Sequence, residues 1–206
     1  MQLPKSEKIT KVDIVSDAAS MSHIGCKPYK MKRLLNEFIE YLKFEILGSN
    51  CAVLVSSLGR LTPKIKKAGR VVRNPMTGEE KIMPEIATVT LTSRFSSNPQ
   101  QIRYTEKQLV KKFIEFNKSA YCDKKSATLI IQSFFNSIRK VSESENLILE
   151  IRGFGMFTSK FVPEGLSRNP KTGEVVVVES HLKPHFKISG TLKKELYPKL
   201  KMSVNK

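Results

Sequence analysis

The sequence predicts an α+β chain built as a tandem duplication. Each copy has two helices and a three-stranded sheet with a protruding β-arm. Three observations carry this. The chain aligns with itself at an offset of 96, which brings Cys26 onto Cys122, Asn50 onto Asn146, Gly59 onto Gly155, Thr62 onto Thr158 and Lys64 onto Lys160. The apolar period changes from helical to extended at the same place in both copies. After the offset shifts to 95, Arg73-Asn74-Pro75-Met76-Thr77-Gly78-Glu79 meets Arg168-Asn169-Pro170-Lys171-Thr172-Gly173-Glu174, identical but for Met against Lys. Self-similarity at a fixed period marks a repeated unit. The copies span residues 11–95 and 107–200, with a linker at 96–106 whose Ser96 to Gln101 are polar.

Each copy opens on a short helix, carried by Val12, Val15, Ala18 and Ala19 in the first and by Leu109, Val110, Phe113 and Ile114 in the second. A longer amphipathic helix follows. Leu35, Phe38, Ile39 and Leu42 stand at i, i+3, i+4 and i+7 and so share one face, and Ile131, Phe134, Phe135 and Ile138 repeat the spacing. Gly25 and Pro28 break the two helices apart in the first copy, and Asp123 is the N-cap expected in the second. Val53 with Val55, and Leu149 with Ile151, begin strands that turn at Gly59 and Gly155. The Asn-Pro and Thr-Gly pairs then form the tip of a long hairpin, because Pro fixes φ and Gly permits a positive φ. The second copy closes with a short capped helix from Ser189 through Leu196 and a basic tail, Lys193, Lys194, Lys199, Lys201 and Lys206, which serves either to track phosphates or simply as a solvated end. The first copy shows no counterpart.

Composition narrows the function. Lys plus Arg number 36 against 19 Asp plus Glu, a net charge of +17, so an anionic partner is expected. No apolar run reaches the ~18 residues of a membrane span, and three widely spaced cysteines argue for a reducing compartment. His23, His181 and His185 stand apart from any Cys-x-x-Cys or carboxylate pairing that would hold zinc, and no phosphate-binding Gly-rich loop is present. Neither an enzyme, a cofactor, a metal nor a small-molecule substrate is expected.

Two helices, a small sheet and an arm tipped by Arg-Asn-Pro-x-Thr-Gly-Glu resemble the HU and integration host factor family of bacterial DNA-bending proteins. Gly153-Phe154-Gly155-Met156-Phe157 is similar to that family's glycine-aromatic turn, and Pro184-His185-Phe186-Lys187 with Lys193 to its closing segment. The first copy departs from it, with Ser57-Leu58-Gly59-Arg60-Leu61 at the turn. The resemblance implies that the two copies close on each other as an intertwined pseudo-dimer within the one chain, with arms that reach around double-stranded DNA, along the minor groove and the phosphate backbone, in a nucleoid-associated, cytoplasmic protein. It further implies that Pro75 and Pro170 wedge between base pairs. Arg73 and Arg168 then lie beside the backbone, and Asn74 and Asn169 are further DNA-contact candidates. The same tip residues also suffice for a plain hairpin turn.

The two arms differ in charge. From Gly59 to Pro84, Arg60, Lys64, Lys66, Lys67, Arg70, Arg73 and Lys81 face only Glu79 and Glu80, leaving +5. From Gly155 to Ser180, Lys160, Arg168 and Lys171 balance Glu164, Glu174 and Glu179. Duplex affinity comes largely from neutralised phosphates, so the first arm suits DNA. The second, with Val176 and Val178 in a run of four valines, suits contact between copies. This sustains an alternative: HU-like folds also resemble components of tailed-bacteriophage virions. The chain is then a non-enzymatic tail or portal-connector ring subunit, a homo-oligomer or a partner of other virion proteins.

Overall fold

The computed structural model describes residues 7–21, 27–48, 53–55, 59–92, 105–117, 122–169 and 171–204. The first half runs β1 (Glu7–Ile9), α1 (Lys11–Ser20), α2 (Pro28–Gly48), β2 (Val53–Val55), β3 (Gly59–Lys66), β4 (Arg70–Arg73), β5 (Glu80–Met83) and β6 (Ile86–Thr92). The second repeats that order from its first helix on: α3 (Glu106–Phe116), α4 (Lys124–Ser142), β7 (Leu147–Ile151), β8 (Gly155–Val162), β9 (Gly165–Arg168), β10 (Val175–Val178) and β11 (His181–Ile188), followed by α5 (Gly190–Val204). Gly25 at the first helix break, with His23 and Cys26 beside it, the Ser96 to Gln101 linker and Pro170 lie outside the described residues.

Local chemistry sets the helix starts. Thr10 caps α1, accepting from Val12 N, while Asp13 Oδ2 accepts from Thr10 N at 2.7 Å. Thr105 and Gln108 make the same reciprocal pair at α3. Each box satisfies amide hydrogens that the first turn cannot pair internally. The Asp13 carboxyl is held below its ordinary value, first by the Thr10 hydroxyl and then by the Thr10 backbone N–H. Pro28 opens α2, where its fixed φ fits and its missing N–H costs nothing. At α4, Asp123 accepts from Ser126 N at 3.0 Å and pairs with Lys30 of α2 at 2.7 Å, a tie between halves. Partial burial would raise the Asp123 pKa, but those two partners override it and keep it far below the usual carboxylate range.

The apolar faces of α2 and α4 meet in one core shared by both halves. Phe38 stands edge-on to Phe113 at 5.3 Å and to Phe134 at 5.4 Å, the geometry preferred by ring quadrupoles. Ser133 is fully buried on α4, where its small side chain lets α1 approach and its hydroxyl donates to Ile14 O at 2.8 Å. Ile14, Val15 and Ala18 are the residues that α1 buries, whereas Val12, expected on that face, is 71 % exposed. With Ile14 and Ala18 turned inward, position 12 falls on the outer side of so short a helix. Ala19 and Ile114 are half-buried.

In the first half β3 lies between β2 and β6, and β4 pairs with β5 as a separate two-stranded arm. In the second, β8 lies between β7 and β11, and β9–β10 is the arm. The three-stranded expectation needs one correction here. β1, N-terminal to the expected start of the first copy, pairs in parallel with β7, so the second sheet has four strands. Gly155 stands where no other residue fits, since a Cβ there would lie 2.6 Å from both the Lys187 carbonyl oxygen and the Phe186 ring. α5 crosses to the first half, packing on α2, β3 and β6 with Leu192, Leu196 and Leu200 buried. Tyr197 donates to Glu85 Oε2 at 3.1 Å, anchoring α5 at the base of the first arm.

Because Phe38 and Phe134 come from different halves and touch, truncating either opens a void in the same core. Phe38→Ala and Phe134→Ala are each expected to cost about 3–5 kcal/mol. Both halves should then melt in one transition at lower temperature, by calorimetry and by near-ultraviolet circular dichroism. Two separated transitions would show independent halves.

Candidate nucleic-acid interface

Alternation along the strands divides the sheets into a core face and an outer face. In β3 and β6, Leu61, Ala87 and Val89 point into the core. The opposite face carries Arg60, Thr62, Lys64 and Lys66, registered against Thr92, Thr90, Thr88 and Ile86. In β8 and β11, Phe157 and Phe186 point inward. The outer face holds Met156, Thr158 and Lys160, registered against Lys187, His185 and Lys183. β6 packs beside β11, each the edge strand of its own sheet, so the two outer faces adjoin. The four strands β3, β6, β8 and β11 contain no carboxylate. None of Lys64, Lys66, Lys160, Lys183 and Lys187 forms an ion pair among the described residues. A face of unneutralised cations with threonine hydroxyls between them is suited to a polyanion lying across it.

The arms continue the strands of this face, β4–β5 between β3 and β6 in the chain and β9–β10 between β8 and β11. Every residue of β4, β9 and β10 is exposed. Both tips fold alike. Asn74 N donates to Glu79 O at 2.8 Å, Gly78 N to Asn74 O at 2.8 Å, and Met76 N to Asn74 Oδ1 at 3.1 Å. In the second arm Asn169 N donates to Glu174 O at 2.9 Å, Gly173 N to Asn169 O at 2.8 Å, and Lys171 N to Asn169 Oδ1 at 3.0 Å. Gly78 and Gly173 adopt φ of 74° and 75°, the left-handed region that explains a glycine in both motifs. Arg73 Nε also donates to Gly78 O at 3.0 Å.

Of the site residues expected from sequence, Lys64, Lys66, Lys67, Arg70, Arg73, Asn74, Pro75, Lys160, Arg168 and Lys171 are solvent-exposed on the outer face or the arms, and Asn169 is half-buried. Arg60 is on the same face but only 9 % exposed, so it has little surface to offer a ligand. Val176 and Val178 are 48 % and 38 % exposed on the second arm. Sequence reasoning missed Lys183 and Lys187 as interface residues. Their signal was the alternation His181, Lys183, His185, Lys187, which places four basic or titratable groups on one side of a strand. Cys122 is buried beside the start of α4, and burial, then Glu37, push its thiol pKa up. It is a packed side chain outside this face. Among the described residues no group of His, Cys, Asp and Glu could hold a metal, and no helix is long and apolar enough to cross a membrane.

A model of the family described as "Bacterial DNA-binding protein" matches residues 104–197. Integration host factor subunit beta of Mannheimia succiniciproducens is 33% identical over 92 residues, 45% of this chain and 95% of the relative. The chain belongs to the bacterial DNA-binding protein family. A second relative in it, integration host factor subunit beta of Nitrosomonas europaea, is 40% identical over 72 residues, 35% of this chain and 67% of its own length. Among solved structures, an Anabaena HU–DNA cocrystal structure is 23% identical, covering 46% of this chain and 99% of that one with a TM-score of 0.38.

Within the face, burial and then the Lys160 and Lys187 ammonium groups hold the His185 pKa below its ordinary value. The unfolded chain therefore takes up this proton more readily, and His185 subtracts stability as pH falls through its unfolded value, about 6.5, towards the lower folded one. The melting temperature of the wild type should fall more between roughly pH 7.5 and 5.5 than that of His185→Gln. Parallel curves would remove His185 as the cause.

Proposed function

We propose that the chain is an architectural, largely sequence-independent DNA-binding protein that seats a duplex across the joined outer faces and bends it with its arms. One observation carries the reading: four strands from two halves present Lys64, Lys66, Lys160, Lys183 and Lys187 on adjoining faces without a single carboxylate. Family membership supports it, as does the family name. In this reading residues 11–95 and 107–200 are two HU-like copies joined by a linker at 96–106, acting as one pseudo-dimer without catalysis or cofactor. Phosphate contacts come from the sheet lysines and the first arm, with Arg73, Asn74 and Pro75 in the minor groove. Arg168, Asn169, Pro170 and Lys171 do the same on the second arm. A nucleoid location follows from that partner.

Sheet lysines that neutralise phosphates release counterions, so affinity should fall linearly on logarithmic axes as salt rises, by about 0.9 per phosphate contacted. Titrating two unrelated duplexes over a salt series should give matching slopes and affinities. Lys183→Glu with Lys187→Glu should weaken both duplexes tenfold or more and flatten the slope, with the melting temperature retained. Unchanged affinity in the double variant would remove the sheet face from the interface.

The second arm supports a contact between copies as well. Val175 to Val178 are all exposed on an arm whose charges balance from Gly155 to Ser180, and Leu166, registered against Val177, is 76 % exposed. This feature favours contact between copies of the chain. Burial of such a surface gains about 25 cal/mol per Å². Val176→Glu with Val178→Glu should abolish any concentration-dependent increase in mass by sedimentation while changing duplex affinity little. A wild type that stays monomeric at every concentration would exclude the contact.

A further inference from the structure

The two tips share their backbone hydrogen bonds and differ at one described position, Met76 against Lys171. Met76 is 94 % exposed, more than any other large apolar residue of the described chain. Water-exposed methionine at the apex of a turn held this firmly contributes nothing to the fold, because the turn forms equally well around Lys171. Behind it stand the exposed cations Arg70, Arg73 and Lys81 of the ribbon, which draw the tip towards phosphates. An unbranched, polarizable thioether fits an apolar gap between bases, and minor-groove proteins that kink DNA use Met and Pro for that insertion. A lysine ammonium is strongly hydrated and stays outside a base stack, where it can reach phosphate as a point charge.

We propose that Met76 is an apolar wedge entering a base step beside Pro75, so that the first arm unstacks the duplex with two apolar side chains, whereas the second, with Lys171 at the same turn position, adds a phosphate contact there instead. The assignment rests on the DNA-binding reading above. It makes the arms unequal in kind: removing Met76 takes away unstacking, and removing Lys171 takes away counterion release.

The test uses the full chain and duplexes carrying donor and acceptor dyes at their ends, with 2-aminopurine as a reporter of unstacking. Met76→Ala should lower end-to-end energy transfer and 2-aminopurine emission while leaving the salt slope unchanged. Met76→Lys should do the same and steepen the slope by about 0.9, and Lys171→Met should make it shallower by about 0.9. Both positions are on solvent-exposed turns, so the melting temperature of each variant should match the wild type. If the wild type binds and bends but Met76→Ala bends and unstacks equally well, Met76 is not a wedge and the DNA-binding reading stands. If the wild type shows no salt-dependent duplex binding, that reading fails and the wedge fails with it.

Discussion

The contact of Phe38 with Phe113 and Phe134 is the constraint on which the rest of the molecule depends. Phe38 belongs to the first half, and its edge-on partners Phe113, Phe134 and Phe135 to the second. A unit of two helices and a small sheet leaves the apolar side of its long helix uncovered when it stands without the other half. Meeting across the helices solves this once for both halves, since one set of rings serves as the interior of each. The buried hydroxyl of Ser133 and the Lys30–Asp123 pair add direction to an attraction that burial alone would leave unoriented.

Placing the helices together fixes where the sheets end up. β6 and β11 are the edge strands that adjoin, and both present their threonines, lysines and His185 away from the rings. Core and outer face are thus two sides of one alternation. A slip of a single residue in β3 or β11 would turn Lys64 or Lys187 inward and Leu61 or Phe186 outward. The cost of burying an ammonium without a partner enforces the register that arrays the cations.

Much of this was legible because the sequence states it twice. The helix stripes and the glycine at each strand turn recur at an offset of 96 and the arm tips at 95, and repetition separates signal from coincidence. Asp123 was readable as a cap since its chemistry is local. What escaped depends on distant partners. Glu7 to Ile9 are ordinary residues that become a strand only because β7 offers an open edge in parallel. Val12 looked apolar enough for the core, but three neighbours had already filled the inward side of α1. Lys183 and Lys187 gained meaning only when β8 placed Lys160 beside them and β6 extended the face. Arg60 shows the converse, a cation whose identity suggested contact and whose surroundings leave it nearly covered.

The crossing of α5 to the first half carries a consequence for synthesis. β3 and β6 are finished by Thr92, yet the leucines that cover them begin at Leu192, about a hundred residues later. A ribosome adding roughly 5–20 residues per second leaves that surface uncovered for about 5–20 s after β6 has been made. During this interval the nascent first half has neither its aromatic partners nor its C-terminal strap, and its apolar strands are open to other chains. The polar Ser96 to Gln101 stretch emerges during the same interval, before either complement has been translated. Native topology is therefore reached only after Leu200 has been translated, and chaperone protection of the nascent chain matters most while the second half is being made.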